Sequence, residues 1–357
     1  MERVGILNAG AWGTAIALKL AEKGYPVTVW EPIEEVREDI NRHRRNTRYL
    51  MGVSLPENIT AVEDIAEAAS ADMLLVATPS LYLLDTIKRI LTVESIMEGR
   101  TDIGILTKGF LPAADGTKLI AETLENYLPG FYKGNLVYIS GPSHAEEVAR
   151  GKITGLISAC PNGRKAIRFR ELLAGETLLV FSSLDIVGVQ VCGAVKNVIA
   201  IAFGMLEALM ELIEGLGDNT ESLLLAAGLN EIMTIGNALG STHPETFTSI
   251  AGVGDLDVTC RSRYGRNRRF GREIILDRIN ERFENLDALL ENIGSIGYLP
   301  EGAAALKHVL NISRENMLKL PICTAVYRIL NRETPPGAAF QLLLAELRGI
   351  SEGGHRH

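Results

Sequence analysis

Two lysines occupy small-residue settings where an ammonium is costly unless it is paired or functional. Lys108 follows a buried-strand pattern in Leu106-Thr107-Lys108-Gly109, and Lys196 lies in the apolar run Cys192-Gly193-Ala194-Val195-Lys196-Asn197. Gly193, Asn197, Ala200 and Gly204 fall on one helical face there, so another segment must approach closely. A snorkelled stem reaching solvent is the plain alternative for each lysine. Further along, Ala251-Gly252-Val253-Gly254-Asp255-Leu256 sets a carboxylate in a glycine-rich stretch, with Thr259 just beyond. The run Arg261-Ser262-Arg263-Tyr264-Gly265-Arg266-Asn267-Arg268-Arg269 then concentrates guanidinium groups, whose planar forks suit phosphate oxygens. In a chain of net charge −8 this points to a small anion, with one or two arginines as ligands and the rest as surface charge. A nucleic-acid patch would want interleaved aromatics, and only Tyr264 and Phe270 are near. His144, after Ser143, offers an imidazole that could serve as a base, with a helix-start histidine as the plain reading.

A second constellation opens the chain. The strand-like Val4-Gly5-Ile6-Leu7 runs into Asn8-Ala9-Gly10-Ala11-Trp12-Gly13, with helical pattern from Thr14. This is the layout of the dinucleotide fingerprint G-x-G-x-x-G with Asn8 in the first glycine's place. Asn tolerates a left-handed turn better than most residues. Gly10 lets the backbone approach a pyrophosphate, Gly13 lets helix and strand pack closely, and the helix N-terminus offers N–H groups to phosphate. The alternative is a tight turn that binds nothing. The second strand ends at Trp30-Glu31, where a carboxylate can take the adenosine ribose hydroxyls and repel a 2′-phosphate. NAD is therefore expected over NADP, with a solvated strand-end charge as the other reading of Glu31. Val76-Ala77-Thr78-Pro79-Ser80 ends another strand and lines the cofactor unless it is an ordinary proline turn.

These groups need a scaffold, and the first half supplies one. Short apolar runs at Arg3–Leu7, Val27–Trp30, Met73–Ala77, Ile103–Leu106, Leu136–Ile139, Gly155–Ala159 and Leu178–Phe181 alternate with helical patterns such as Thr14–Lys23, Glu34–Arg45 and Thr117–Tyr127. Several runs are continuous, as for strands covered on both faces. The alternation predicts an α/β, doubly wound, mostly parallel sheet. After about Asp185 only helical patterns remain: 186–213, 219–239, 269–280, 286–292, 301–315 and 321–332. The expected division is a dinucleotide-binding domain over 1–186, an all-helical substrate and catalytic domain over 187–350, and a frayed tail over 351–357.

Length and composition agree. The chain has 357 residues, 46% hydrophobic and 22% charged, which suits a folded two-domain protein. The acidic balance argues against a nucleic-acid partner. Cys160, Cys192, Cys260 and Cys323 have neither zinc-site nor redox-motif spacing, so no metal is expected. Met1 leads straight into a strand pattern without the order of a signal peptide, and the apolar stretch from Ile186 to Met210 is broken by Lys196 and Glu207. A cytoplasmic protein with no membrane span is expected.

Taken in order, Lys108 in Thr-Lys-Gly-Phe, Ile139-Ser140-Gly141-Pro142-Ser143, Gly193-Ala194-Val195-Lys196-Asn197-Val198-Ile199-Ala200, Gly254-Asp255-Leu256, Arg266-Asn267-Arg268-Arg269-Phe270-Gly271 and Glu301-Gly302 resemble the NAD(P)-dependent glycerol-3-phosphate dehydrogenase family. The resemblance runs from residue 3 to about 345. It implies a Rossmann-type domain followed by a helical one, and reversible reduction of dihydroxyacetone phosphate to sn-glycerol 3-phosphate with NAD or NADP by a homodimer. It implies Lys196 as catalytic proton donor and acceptor, Asp255 as its partner, and Lys108 in contact with substrate and cofactor. Gly141, Ser143, Asp255, Gly265, Arg266 and Asn267 would line the substrate. Ala11, Trp12, Ala145, Arg266 and Glu301 would touch the cofactor. The chain departs from the family at Asn8, at Gly265 where relatives often carry Ser, and at Ala226-Ala227-Gly228 where Thr-Arg-Gly is usual. The rival readings are a related dehydrogenase for another phosphorylated or carboxylated ketone, and a silent dinucleotide-binding paralogue.

Overall fold

A computed structural model describes residues 2–113 and 116–353. Among the described residues ten strands are formed: β1 (Val4–Leu7), β2 (Val27–Trp30), β3 (Ile59–Val62), β4 (Met73–Val76), β5 (Asp102–Ile105), β6 (Phe110–Ala113), β7 (Gly116–Leu119), β8 (Val137–Ser140), β9 (Thr154–Ala159) and β10 (Leu178–Ser183). Eight of them make one sheet in the order β10-β9-β8-β5-β4-β1-β2-β3. Every pair is parallel except β8 with β9. Strands β1, β4, β5 and β8 are buried along their whole length, and apart from Asp102 at the start of β5 and Ser140 at the end of β8 they are apolar or glycine, as strands covered on both faces require. The chain order reverses direction across β1 and β4, so the crevice beyond their carboxyl ends is where such sheets bind ligands.

Two features of the strands differ from the sequence reading. Strand β3 has only the mixed pattern Ile-Thr-Ala-Val and lies at the sheet edge, half exposed, so it lacks the continuous run that marks the others. Residues 117–119, read as helix, belong to the β6–β7 ribbon, and the helix begins only at Ile120 and ends at Glu125. Gly116, at φ +119°, starts the strand in a conformation closed to most side chains.

The chain divides into two compact units, Met1–Leu111 with Lys118–Gln190, and Pro112–Thr117 with Val191–His357. The change from the first unit to the second thus falls inside the long helix Ile186–Met210 rather than at its start, and 112–117 joins the second unit. That helix is apolar and long enough to cross a membrane, yet 83% of its most apolar stretch is buried within the protein. Of the tail 351–357, expected to fray, residues 351–353 continue the last helix, Pro336–Gly353, and 354–357 lie outside the described residues.

The second unit is built of helices around the long one. Its small-residue face meets the helix Arg266–Leu276 at near backbone contact: a Cβ on Gly204 would lie 1.9 Å from the Arg268 carbonyl oxygen. The approach is reciprocal, since a Cβ on Gly271 would lie 2.1 Å from the Ile201 carbonyl oxygen. Only glycine permits this crossing. It fixes where the helix Arg266–Leu276 lies against the long one.

Candidate functional site

In the first unit the helix Ala11–Glu22 starts three residues before Thr14, so Gly13 is helical rather than part of the turn. A Cβ on Gly13 would sit 2.2 Å from the Asn8 carbonyl oxygen, which accounts for glycine there. Asn8 itself has φ +85°, the left-handed conformation that the fingerprint's first glycine normally supplies. Its side-chain oxygen accepts the Gly10 N–H at 3.2 Å. The helix start has no side-chain cap, and no acid stands in its first turn. Its N–H groups and positive dipole end therefore fit a pyrophosphate. Ala11 and Trp12, the first two helical residues, are half-buried against the core of this unit.

Glu31 is not where the ribose reading needs it. Its side chain has no solvent exposure. One carboxylate oxygen accepts the Ala9 N–H at 3.0 Å and the Asn8 amide at 3.4 Å, and the other accepts the Ile33 N–H at 3.0 Å. Burial pushes this carboxyl above the usual range, and the N–H donors of Ile33 and Ala9 pull against that. A group so enclosed does not present itself to a ribose, so the preference for NAD expected from it loses its basis. Arg37 is likewise committed: it donates to the backbone oxygens of Glu31 and Pro32, each at 2.9 Å, and pairs with Glu63 at 3.3 Å. Asn46, which carries no sequence signal, is buried and donates to the Ala9 carbonyl at 2.7 Å and the Thr14 hydroxyl at 2.8 Å.

The carboxyl ends of β4, β5 and β8 bring the remaining residues of this half together. Thr107 donates to the Thr78 carbonyl at 2.7 Å, joining the turns that follow β4 and β5. Lys108 donates to the Gly141 carbonyl at 3.2 Å, and Ser143 donates to the same oxygen at 2.9 Å. Gly141, at φ +123°, turns the chain out of β8. Ala145, buried, begins the short helix Ala145–Ala149.

In the second unit Lys196 and Asp255 form a buried ion pair, with side chains 7% and 1% exposed. The long helix holds the lysine. A π-helical turn, Ile250–Gly254, delivers the aspartate to the head of the helix Asp255–Arg261. Such turns re-aim the following side chain and recur at functional sites. Thr259 donates to the Asp255 carbonyl at 2.6 Å and steadies that helix.

The arginine run sorts itself by partner. Arg261 pairs with Asp257 and Glu221, Arg268 with Glu207, Arg269 with Glu273, and Arg272 with Glu207 and Glu211. Arg263 lies over the Tyr264 ring at 4.9 Å. Arg266 is exposed and has no ion pair among the described residues. It is the first residue of the helix Arg266–Leu276, whose start at Gly265 has no side-chain cap and no acid in its first turn. That combination suits an anion. Gly265 is buried, and a Cβ there would lie 2.9 Å from the Thr259 carbonyl oxygen.

Asn267 differs from the role implied for it. It is buried, donates to the Asn197 side-chain oxygen at 3.0 Å and accepts the Gly302 N–H at 2.9 Å. Its amide is a cross-brace between three helices rather than an open ligand. Glu301 begins the third of these, Glu301–Glu315. Among the described residues no group of three or more His, Cys, Asp or Glu could hold a metal ion.

Residues 3–166 match the family described as NAD-dependent glycerol-3-phosphate dehydrogenase N-terminus, and residues 185–341 match the corresponding C-terminus. A protein named glycerol-3-phosphate dehydrogenase (NAD(P)+) from Treponema denticola is 52% identical over 342 residues, 94% of this chain and 96% of that protein. Its namesake from Treponema pallidum is 51% identical over 354 residues, 96% of this chain and 99% of that one. The crystal structure of glycerol-3-phosphate dehydrogenase from Coxiella burnetii superposes with a TM-score of 0.82 at 30% identity, covering 96% of this chain and 98% of that one. A D-mandelate dehydrogenase, at 13% identity and a TM-score of 0.56, shares the fold alone.

Proposed function

The chain belongs to the NAD(P)-dependent glycerol-3-phosphate dehydrogenase family, and from that premise we propose how its own residues divide the reaction. It is an oxidoreductase that reduces dihydroxyacetone phosphate to sn-glycerol 3-phosphate with NAD(P)H, reversibly, a step of glycerophospholipid metabolism. The nicotinamide supplies a hydride to C2 of the ketone. Lys196 gives the proton that the developing C2 oxygen needs, and takes it back in the reverse direction. The Asp255 carboxylate in contact favours the ammonium form and fixes its direction. Arg266 and the N–H groups at the start of its helix hold the phosphate, which orients the carbonyl. Lys108, with Gly141 and Ser143, serves substrate and cofactor from the strand ends. Asn267 acts by bracing Asn197, the neighbour of Lys196, and Gly302. The Asn8–Gly10 turn and the helix start that follows it, through Gly13, take the pyrophosphate, with Ala11, Trp12, Ala145 and Glu301 as further cofactor contacts.

The observation that carries this reading is the buried Lys196–Asp255 pair together with one arginine left without a carboxylate at an uncapped helix start. The test is oxidation of NADH and NADPH, followed by absorbance, with dihydroxyacetone phosphate. Turnover with that ketone is expected. Turnover only with a different phosphorylated or carboxylated ketone, or dinucleotide binding without turnover, would sink it. The reading further takes the protein to be a cytoplasmic homodimer, and light scattering on the eluted protein checks the dimer.

A further inference from the structure

Glu31 has no exposure, touches no other ionised side chain at hydrogen-bond distance among the described residues, and spends its carboxylate oxygens on the turn after β1 and on the chain just beyond its own strand. The targets are the Ala9 N–H and the Asn8 amide on one side and the Ile33 N–H on the other. Asn8 is the non-glycine residue at φ +85° that opens the turn, and its amide oxygen is turned back onto the Gly10 N–H. Its backbone N–H is tied to the Trp30 carbonyl at 2.9 Å. On the other side Asn46 grips the Ala9 carbonyl. The turn is thus clamped from both sides, and the amide of Asn8 has one oxygen and one nitrogen, each pinned to a partner that fixes its rotation.

A glycine at position 8 would need no such clamp, because it adopts a left-handed backbone without cost. Asn in the same conformation is uncommon and persists when its surroundings over-determine it. We propose that Glu31 is a positioning residue for the dinucleotide: acting through Asn8 and Ala9, it holds the turn in the conformation that receives the phosphates, and so sets affinity for NADH and NADPH alike without choosing between them. The proposal rests on the reading of the Asn8–Gly10 turn and the helix start after it as the phosphate site. It makes the acidic residue at the end of β2 a support for the turn rather than a reader of the ribose.

The test uses the purified full chain and measures dissociation constants of NADH and NADPH by fluorescence, alongside kcat. Glu31→Gln keeps shape but replaces one acceptor oxygen with a donor, so either the Ala9 or the Ile33 N–H loses its partner. Both dissociation constants should rise by a similar factor, about tenfold, with the loss falling on affinity more than on kcat. Asn8→Ala, which deletes the amide and leaves a strained backbone, should weaken both cofactors in parallel too, and carries the test if Glu31→Gln does not fold. A change in the NADH-to-NADPH ratio of more than about fivefold, or two unchanged dissociation constants, overturns the proposal. Ala11→Asp isolates the underlying reading. An acid there favours the helix start but repels a pyrophosphate, so it should abolish binding of either cofactor. Undiminished binding in Ala11→Asp would instead show that the turn is not the phosphate site, whatever Glu31 does.

Discussion

Asp255 and Glu31 are both carboxylates with no solvent exposure, one in each unit, yet they are satisfied in opposite ways. Asp255 faces an ammonium, Lys196. Glu31 faces neutral N–H groups of its own neighbourhood. A buried ion pair stores its energy in two desolvated charges, and removing either strands the other. A carboxylate wrapped by backbone donors fixes a loop, and replacing it loses a hydrogen bond rather than a counter-charge. The first arrangement keeps a proton available at a chosen atom. The second keeps a backbone shape. On the proposed reading, the first carboxylate serves the chemical step and the second serves binding.

The largest effect should come from the ammonium side of the first pair. Lys196→Ala removes the proton donor and should cut turnover by about a hundred- to ten-thousand-fold, with cofactor affinity largely kept. Steady-state kinetics and cofactor titration on the same preparation measure both. A variant that retains more than about a tenth of wild-type turnover would take the acid role from Lys196. Asp255→Asn comes next and bears directly on the comparison. It leaves Lys196 without its counter-charge, and breaking such buried pairs costs about 3–5 kcal/mol. Glu31→Gln should cost less, about 1–3 kcal/mol. Denaturant midpoints for the two variants rank them, and equal losses would erase the distinction drawn between them.

How far this division is legible in the sequence depends on what each residue announces. Lys196 and Asp255 each stand in glycine-rich, apolar contexts that make an isolated charge costly, so their kind of role can be read before their contact is seen. Strands buried on both faces are equally plain, because a strand covered on each side needs the continuous apolar runs seen at Val4–Leu7 and Met73–Val76. Glu31 misleads because position alone speaks for it. A carboxylate at the end of the second strand fits the ribose pattern, and nothing local tells that Asn8, 23 residues earlier, needs its oxygen. Asn267 misleads in the same manner: a polar side chain beside Arg266 looks like a ligand, while its bonds to Asn197 and Gly302 depend on how three helices pack. Strand β3 and the 112–119 ribbon escape a sequence reading since edge and two-stranded elements carry short, mixed patterns.

A smaller effect tests the anion end of the second unit. Arg266→Ala removes a charge-assisted contact to the phosphate, which is worth about 1.5–3 kcal/mol. KM for dihydroxyacetone phosphate should rise about ten- to a hundredfold, while activity on unphosphorylated dihydroxyacetone should change little. An equal loss on both substrates would mean that Arg266 does not read the phosphate, and the sorting of the arginine run by carboxylate partner would lose its functional meaning.

The smallest expected effect concerns a third buried carboxylate, which carries the comparison into stability. Glu231 accepts the Ile322 N–H at 2.5 Å and the Cys323 N–H at 3.1 Å, at the start of the helix Pro321–Leu330. It resembles Glu31 in having backbone donors rather than a cation for partners. Burial pushes its carboxyl up to about 7, against the pull of the Ile322 and Cys323 donors, and the charge of Glu346 adds to the rise. In the unfolded chain the same group titrates near 4.5. The folded state therefore holds the proton more tightly than the unfolded state between those values. Its contribution to stability is fully present below about pH 4.5 and is lost as pH rises through about 7. Linkage allows at most about 3 kcal/mol across that window, and relaxation of the surrounding helices should leave about 1 kcal/mol to be seen. Glu231→Gln cannot titrate, so the difference in stability between wild type and variant should shift in the variant's favour from about pH 5 to about pH 8. Denaturation midpoints of both proteins across that range measure it. A difference that does not change with pH would show that the backbone donors offset burial and leave the Glu231 carboxyl at its unfolded value, and the contrast between a carboxylate held by a cation and one held by backbone donors would then not extend to this proton.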